Sequence, residues 1–311
     1  MRYYFKFLIT TFVLTIFMFE GITIGILKYP ENVFHSSFQS LIQDKYRILM
    51  ETNEPKIIVV SGSSSAFGLD QGMLEAACKG YKVVNLGLHA GFGHLFYSEL
   101  AKANINEGDI VLLGYEYEWQ NGFDSLNQNL VMSGIDSDIE MYTKIPVRKW
   151  PDLIGYLFKY AEIKNAYEGM SGIYSREAFD SETGQMTMIR RGSMEYTVED
   201  YGTVDLTDVE ITDEAIKYLL DYKKYVEEKG ASIYFIAPPL VADAVACDYS
   251  EFKRLKILEE EQIGIPYISD PTEYFFPCEL MFNHKYHCNS AGEKVRTELL
   301  IDDLKRAAII E

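Results

Sequence analysis

The chain has 311 residues, 48% of them hydrophobic and 24% charged, with a formal net charge of −18. That length and composition give a folded protein with room for a sizeable core. The strong negative balance argues against nucleic acid or anionic lipid as the main partner.

The amino terminus opens with a near-continuous apolar run, Phe7 to Leu27. Its roughly 20 residues match the length of a bilayer-spanning helix. Arg2 and Lys6 precede it, which places the amino terminus in the cytoplasm and everything after Lys28 outside. No small-x-small cleavage site follows the run, so an uncleaved single-pass anchor is expected over residues 1–28 rather than a signal peptide. Glu20 interrupts the run, and a charge near mid-span costs about 2–3 kcal/mol. It reads either as a carboxylate near the outer interface or as a contact with another membrane protein.

Residues 29–55 read as a linker with a short helix near Phe38–Leu49. Ile57-Ile58-Val59-Val60 is a β-branched run suited to a strand buried on both faces of a parallel sheet. It leads into Ser61-Gly62-Ser63-Ser64-Ser65, where small residues allow a tight turn at the strand's carboxyl end. In open α/β sheets that edge is where ligands bind. A brief helix follows over Gly72–Gly80, then a second strand, Tyr81–Leu86, and the glycine-rich turn Gly87–Gly93. His94–Asn104 is helical in pattern and precedes a third strand, Ile110–Leu113. This alternation predicts a doubly wound α/β sheet.

The alternation stops from about 119 to 210. That stretch reads as an insertion with some helix and scattered aromatics, lying over the sheet edge. The pattern resumes with Thr212 as N-cap and Gly230 as terminator of a helix. A fourth strand, Ala231–Ala237, a helix over Phe252–Gln262 and a short fifth strand, Pro266–Ser269, follow. Ser290-Ala291-Gly292-Glu293 has the capping-box pattern and opens a last helix running towards Ala307.

The four cysteines, Cys78, Cys247, Cys278 and Cys288, show no CxxC pair and no zinc-ligand spacing. No metal or cofactor is expected. Cys278 and Cys288 either bridge or stay free thiols.

Two of the chain's five histidines, His284 and His287, stand just before the last helix. A histidine on a late loop and a serine at the first strand's carboxyl end can form a base and a nucleophile on one sheet edge. On the residues alone His284 and His287 are equal candidates for the base. Taken together, Gly62-Ser63-Ser64, Asn85-Leu86-Gly87 through Gly91, and Tyr286-His287-Cys288-Asn289 with Gly292 and Arg296-Thr297 resemble the blocks of SGNH/GDSL-type hydrolases. The resemblance is to their membrane-anchored bacterial branch, which includes the D-alanyl transfer protein of lipoteichoic acid and alginate O-acetylation proteins. It covers roughly 56–118 and 212 to the end.

The resemblance implies a mainly parallel five-stranded, flavodoxin-like sheet spanning 56–311. It implies Ser64 as nucleophile, His287 as general base, and the backbone N–H groups of Ser64 and Gly91 (Gly87 second) as oxyanion donors. It also implies acyl-ester hydrolysis or O-acyl transfer on a cell-surface glycan or polymer, beside a membrane-bound O-acyltransferase. Two departures stand out. Asn283 occupies the place where the anchored relatives carry an aspartate, leaving the imidazolium without a charged partner unless Asp270 or Glu279 substitutes. Where a Gly-x-Asn-Asp block is expected after the third strand, the chain has Gly114-Tyr115-Glu116-Tyr117-Glu118, so the asparagine oxyanion donor is missing. A catalytically degenerate adaptor or glycan-binding partner is therefore the alternative expectation, and a plain outward-facing esterase or lipase a third.

Overall fold

The computed structural model describes residues 2–310. In chain order the elements are α1 (Arg2–Lys28), α2 (Leu41–Glu51), β1 (Lys56–Ser61), α3 (Ser63–Ala66), α4 (Gln71–Ala77), β2 (Lys82–Asn85), α5 (His94–Ala101) and β3 (Ile110–Gly114). Next come α6 (Trp119–Gly122), α7 (Gln128–Ile135), α8 (Ile139–Tyr142), α9 (Trp150–Ala166), α10 (Val198–Tyr201) and α11 (Asp213–Glu228). The chain closes with β4 (Ser232–Phe235), β5 (Leu240–Val241), α12 (Tyr249–Ile263), β6 (Phe275–Phe276) and α13 (Ser290–Arg306).

A parallel four-stranded sheet in the order β2-β1-β3-β4 forms the centre. Every residue of β1 and β3 is buried, which their unbroken apolar runs require of strands covered on both faces. Successive side chains point to opposite faces. Ile58, Val60, Val111 and Leu113 join a core with α2, α5, α7 and α9. Ile57, Val59, Ile110 and Leu112 join a second core with α4 and α13. From β1 the chain steps one way to β2 and then back past β1 to β3, so the winding reverses between β1 and β3. The carboxyl ends of those two strands, Ser61 and Gly114, are paired in register, and ligands bind at such a reversal.

The sheet differs from expectation at its edge. Pro266–Ser269 contributes one parallel bridge, Phe235 to Tyr267, rather than a fifth strand. Proline offers no N–H to a ladder, and only Pro266 O and the Ile268 N–H bond to Phe235. A separate two-stranded pair, β5 with β6, was not anticipated from the sequence.

Residues 29–55 are packed rather than free as a linker. Phe34, Phe38, Leu41, Ile42, Tyr46 and Leu49 are all buried in the larger core, since α2 is amphipathic and lays its apolar face against β2 and α7.

One helix among the described residues, Tyr3–Lys28, is long and apolar enough to cross a membrane, and it lies outside the packed body. Its last turn is held. Lys164 on α9 donates to Leu27 O at 2.9 Å and pairs with buried Asp136 at 2.9 Å. At the opposite end of the sheet from Ser61, Lys56 and Asp109 form a fully buried ion pair at 2.8 Å. All four cysteines are free thiols, so Cys278 and Cys288 do not bridge.

Candidate active site

β1 delivers Ser61, Gly62 closes the turn, and α3 begins at Ser63. Gly62 leaves room for the Glu116 carboxyl. A Cβ there would collide with both carboxylate oxygens of Glu116, which would have to move. Ser64 is fully buried. Ser61 Oγ gives its one proton to Gly114 O at 2.5 Å, so the 3.1 Å contact between Ser61 Oγ and Ser64 Oγ has Ser64 as donor. Arg296 on α13 donates to Ser64 O at 3.2 Å.

The histidine loop, 282–289, folds back on itself through Phe282 N to His287 O at 2.8 Å and His287 N to His284 O at 3.0 Å. His287 Nδ1 meets Asn283 Oδ1 at 2.9 Å. Asn283 Nδ2 donates to Tyr174 OH at 2.7 Å, which turns its carbonyl towards the imidazole. Nδ1 must then carry the proton, leaving a lone pair on Nε2. Nε2 is buried and has no hydrogen-bond partner. Burial foremost, then the neighbouring His284, His89 and Arg190, holds the His287 pKa well below the ordinary histidine value. The imidazole is neutral at pH 7.

Several contacts bring this loop to the Ser64 turn. The Phe67 ring, three residues after Ser64, stacks on His287 with centroids 4.1 Å apart. Cys288 Sγ, Arg296 and Ser64 O all crowd Gly68. Arg190, from the 119–210 insertion, donates to Phe67 O at 3.2 Å and Cys288 O at 3.1 Å while pairing with Glu293 at 2.7 Å. The serine turn and the histidine loop thus share one sheet edge. No hydrogen bond joins Ser64 to His287.

The expected oxyanion donors are already engaged. The Ser64 N–H goes to Glu116 Oε1 at 2.9 Å, and the Gly91 N–H goes to His89 Nδ1 at 2.9 Å. The Gly87 N–H is held by Asn85 Oδ1 at 2.9 Å. Gly91 sits in the short turn after β2, where its own neighbour captures the amide, and is not a free donor. Neither possible substitute for Asn283 reaches His287. Asp270 caps its own turn through the Thr272 N–H at 3.0 Å, and Glu279 is exposed.

A cleft of about 240 Å³ opens beside the turn, lined by Ser63, His94, Glu116, Tyr117, His284 and Tyr286. Ser63 is half-buried there, whereas Ser64 lies behind it. Burial holds His284 at a pKa of about 4, so the second histidine of the loop is also neutral. Tyr174, Arg190 and Phe67 were not singled out as site residues from sequence, whereas Glu116 and Tyr117 were expected either to reshape the site or to form a solvent-facing rim. The signal for Glu116 was its place after the third strand, in the stretch that stands where a Gly-x-Asn-Asp block is expected.

No family model and no curated protein matches the chain. Among solved structures, the crystal structure of the YXIM protein of Bacillus subtilis is similar at 14% identity and a TM-score of 0.40. The alignment covers 83% of this chain and spans 58% of that one.

Proposed function

We propose that the chain carries an acyl-ester site in which Ser64 is the nucleophile, His287 the general base and Asn283 the group that orients the base. The observation supporting this most directly is the state of the imidazole. It is anchored through Nδ1 and neutral, and its buried Nε2 lone pair is unspent, beside the turn that carries Ser64. Ser64 Oγ attacks an acyl carbon, its proton passes to Nε2, and the imidazolium returns that proton to the leaving alkoxide. Asn283 fixes the tautomer but gives the imidazolium no charge, so turnover is slow compared with an aspartate-supported site.

With α1 as a single-pass anchor and the domain outside, the acyl acceptor is a hydroxyl of a cell-surface glycan or polymer, or water. A membrane-bound O-acyltransferase is the partner that the SGNH resemblance suggests. Labelling of the full chain in detergent with a fluorophosphonate, mapped by mass spectrometry, tests the site. Label on Ser64, lost in Ser64→Ala and kept in Ser63→Ala, is the expected result. Label retained in Ser64→Ala would refute the assignment.

A second reading, a non-catalytic adaptor, is favoured by the Glu116 carboxyl on the Ser64 N–H. Absence of any labelled serine supports it.

A further inference from the structure

We propose that Glu116 acts as a neutral carboxylic acid that donates the hydrogen bond to the developing oxyanion, a role that rests on the Ser64–His287 reading above. The backbone amides an acyl oxygen would use are committed, Ser64 to Glu116 Oε1 and Gly87 and Gly91 to side chains of their own turns. An oxyanion formed at Ser64 therefore needs a donor from elsewhere. Glu116 is the group in contact with the Ser64 amide, and it lines the same cleft as Ser63. Its Oε1 accepts, while Oε2 is buried with no partner. An ionised oxygen left bare in that position is strongly disfavoured, whereas a protonated one carries a donor still to be used. A carboxyl kept neutral by an apolar site is suited to donating to an oxyanion.

The surroundings agree with a neutral acid. From α13, Arg296 is the nearby cation and opposes a neutral acid, but its guanidinium is directed at Ser64 O and Ser65 Oγ and not at the Glu116 carboxyl. From α5 and the histidine loop come Tyr97 and Tyr286, both phenols held neutral by burial. His94 and His284, which line the same cleft, are held uncharged by burial. Glu118, two residues on and exposed, pairs loosely with Lys285 at 3.9 Å and disfavours a second negative charge. Burial raises the Glu116 pKa, with the Ser64 and Glu116 N–H groups, the Ser64 hydroxyl and Arg296 pulling against it.

In the step itself Ser64 Oγ bonds to the acyl carbon as its proton moves to His287 Nε2. The carbonyl electron pair shifts onto oxygen, which receives the Glu116 O–H hydrogen bond. Glu116 keeps its proton throughout. Collapse of the intermediate re-forms the carbonyl, and His287 protonates the departing alkoxide.

The test compares Glu116→Gln and Glu116→Ala with wild type, as full chains in detergent, on p-nitrophenyl acetate across pH. Glutamine copies the neutral acid, one acceptor and one donor, so Glu116→Gln should stay within about tenfold of wild type and lose the alkaline fall in kcat/KM. Glu116→Ala should lose about 10²–10³-fold. Infrared difference spectra of wild type minus Glu116→Gln should show a protonated-carboxyl band at neutral pH. Absence of that band, or an unchanged or raised rate in Glu116→Ala, overturns the donor role while leaving Ser64 and His287 standing. Turnover that persists unchanged in Ser64→Ala overturns the underlying site and the donor role together.

Discussion

The rings of Phe67 and His287 lie face to face, 4.1 Å apart and within 5° of parallel. This one contact joins the segment after the first strand to the loop before the last helix, across 220 residues of sequence. It also shields the imidazole from water, and desolvation is the largest cause of that histidine's lowered pKa. Removing the ring should let the imidazole charge more easily. In Phe67→Ala the His287 pKa should rise towards its ordinary value of about 6.5. The acid limb of kcat/KM should move to higher pH in step. Histidine NMR titration checks the first effect and a pH–rate profile the second; an unmoved limb would show that the stacking does not govern the base.

The chain from His287 through Asn283 to Tyr174 predicts a graded pair of variants. Asn283→Asp should raise kcat for Ser64-dependent hydrolysis about 10- to 100-fold, part of the ~10⁴-fold that the opposite exchange costs a serine protease triad. Tyr174→Phe removes the hydroxyl that aims Asn283 and should lower kcat while leaving KM nearly unchanged. Steady-state kinetics on one ester decides both. A fall in kcat on adding the aspartate would mean that the base is not oriented through this residue.

Gly62→Ala should be poorly tolerated. The added methyl collides with the Glu116 carboxyl, so either the carboxyl leaves the Ser64 N–H or the turn opens. A loss of about 1–3 kcal/mol, as for overpacking elsewhere, should appear in denaturant unfolding together with loss of fluorophosphonate labelling.

Stability should fall on both sides of neutrality, for opposite reasons. His94, His284 and His287 have folded pKa values below the unfolded one, at about 3, about 4 and well below normal respectively. The unfolded chain takes up protons first, so stability declines as pH drops below about 6.5. Glu259 is pushed up to about 8 by burial, so above about pH 4.5 the unfolded chain releases a proton that the folded chain keeps, and stability declines from there up to about 8. Glu259→Gln preserves a partner for Gln120, which donates to Glu259 at 2.7 Å. Its melting temperature should match wild type near pH 4.5 and exceed it progressively up to pH 8. Equal melting temperatures at pH 8 would mean that this carboxyl is already ionised in the fold.

Much of the scaffold was legible because it is local. The apolar runs that became β1 and β3 are written in consecutive residues, and so is the start of α13, although its cap is Asn289, which accepts from the Ala291 and Gly292 N–H groups, and not the Ser290–Glu293 box that was expected. The packing of 29–55 was not legible, because α2 is a short amphipathic helix whose partners lie on β2 and α7. The site divides in the same way. His287 and Asn283 stand four residues apart on one loop and were both named through the resemblance. Tyr174 and Arg190 come from an insertion with no periodic signal, and only the folded chain brings them to the histidine loop. Glu116 was visible as a departure from an expected block, but its bond to the Ser64 amide depends on β1 and β3 ending in register.

The grip of Lys164 on the final carbonyl of the apolar helix has a mechanical consequence on the proposed topology. With Phe34, Phe38 and α2 also packed into the body, little free chain separates the apolar helix from the domain, so on that topology the domain is tethered close to the bilayer. On the proposed acyl-ester reading, such a short tether would favour acyl donors held at the membrane face over substrates farther from it.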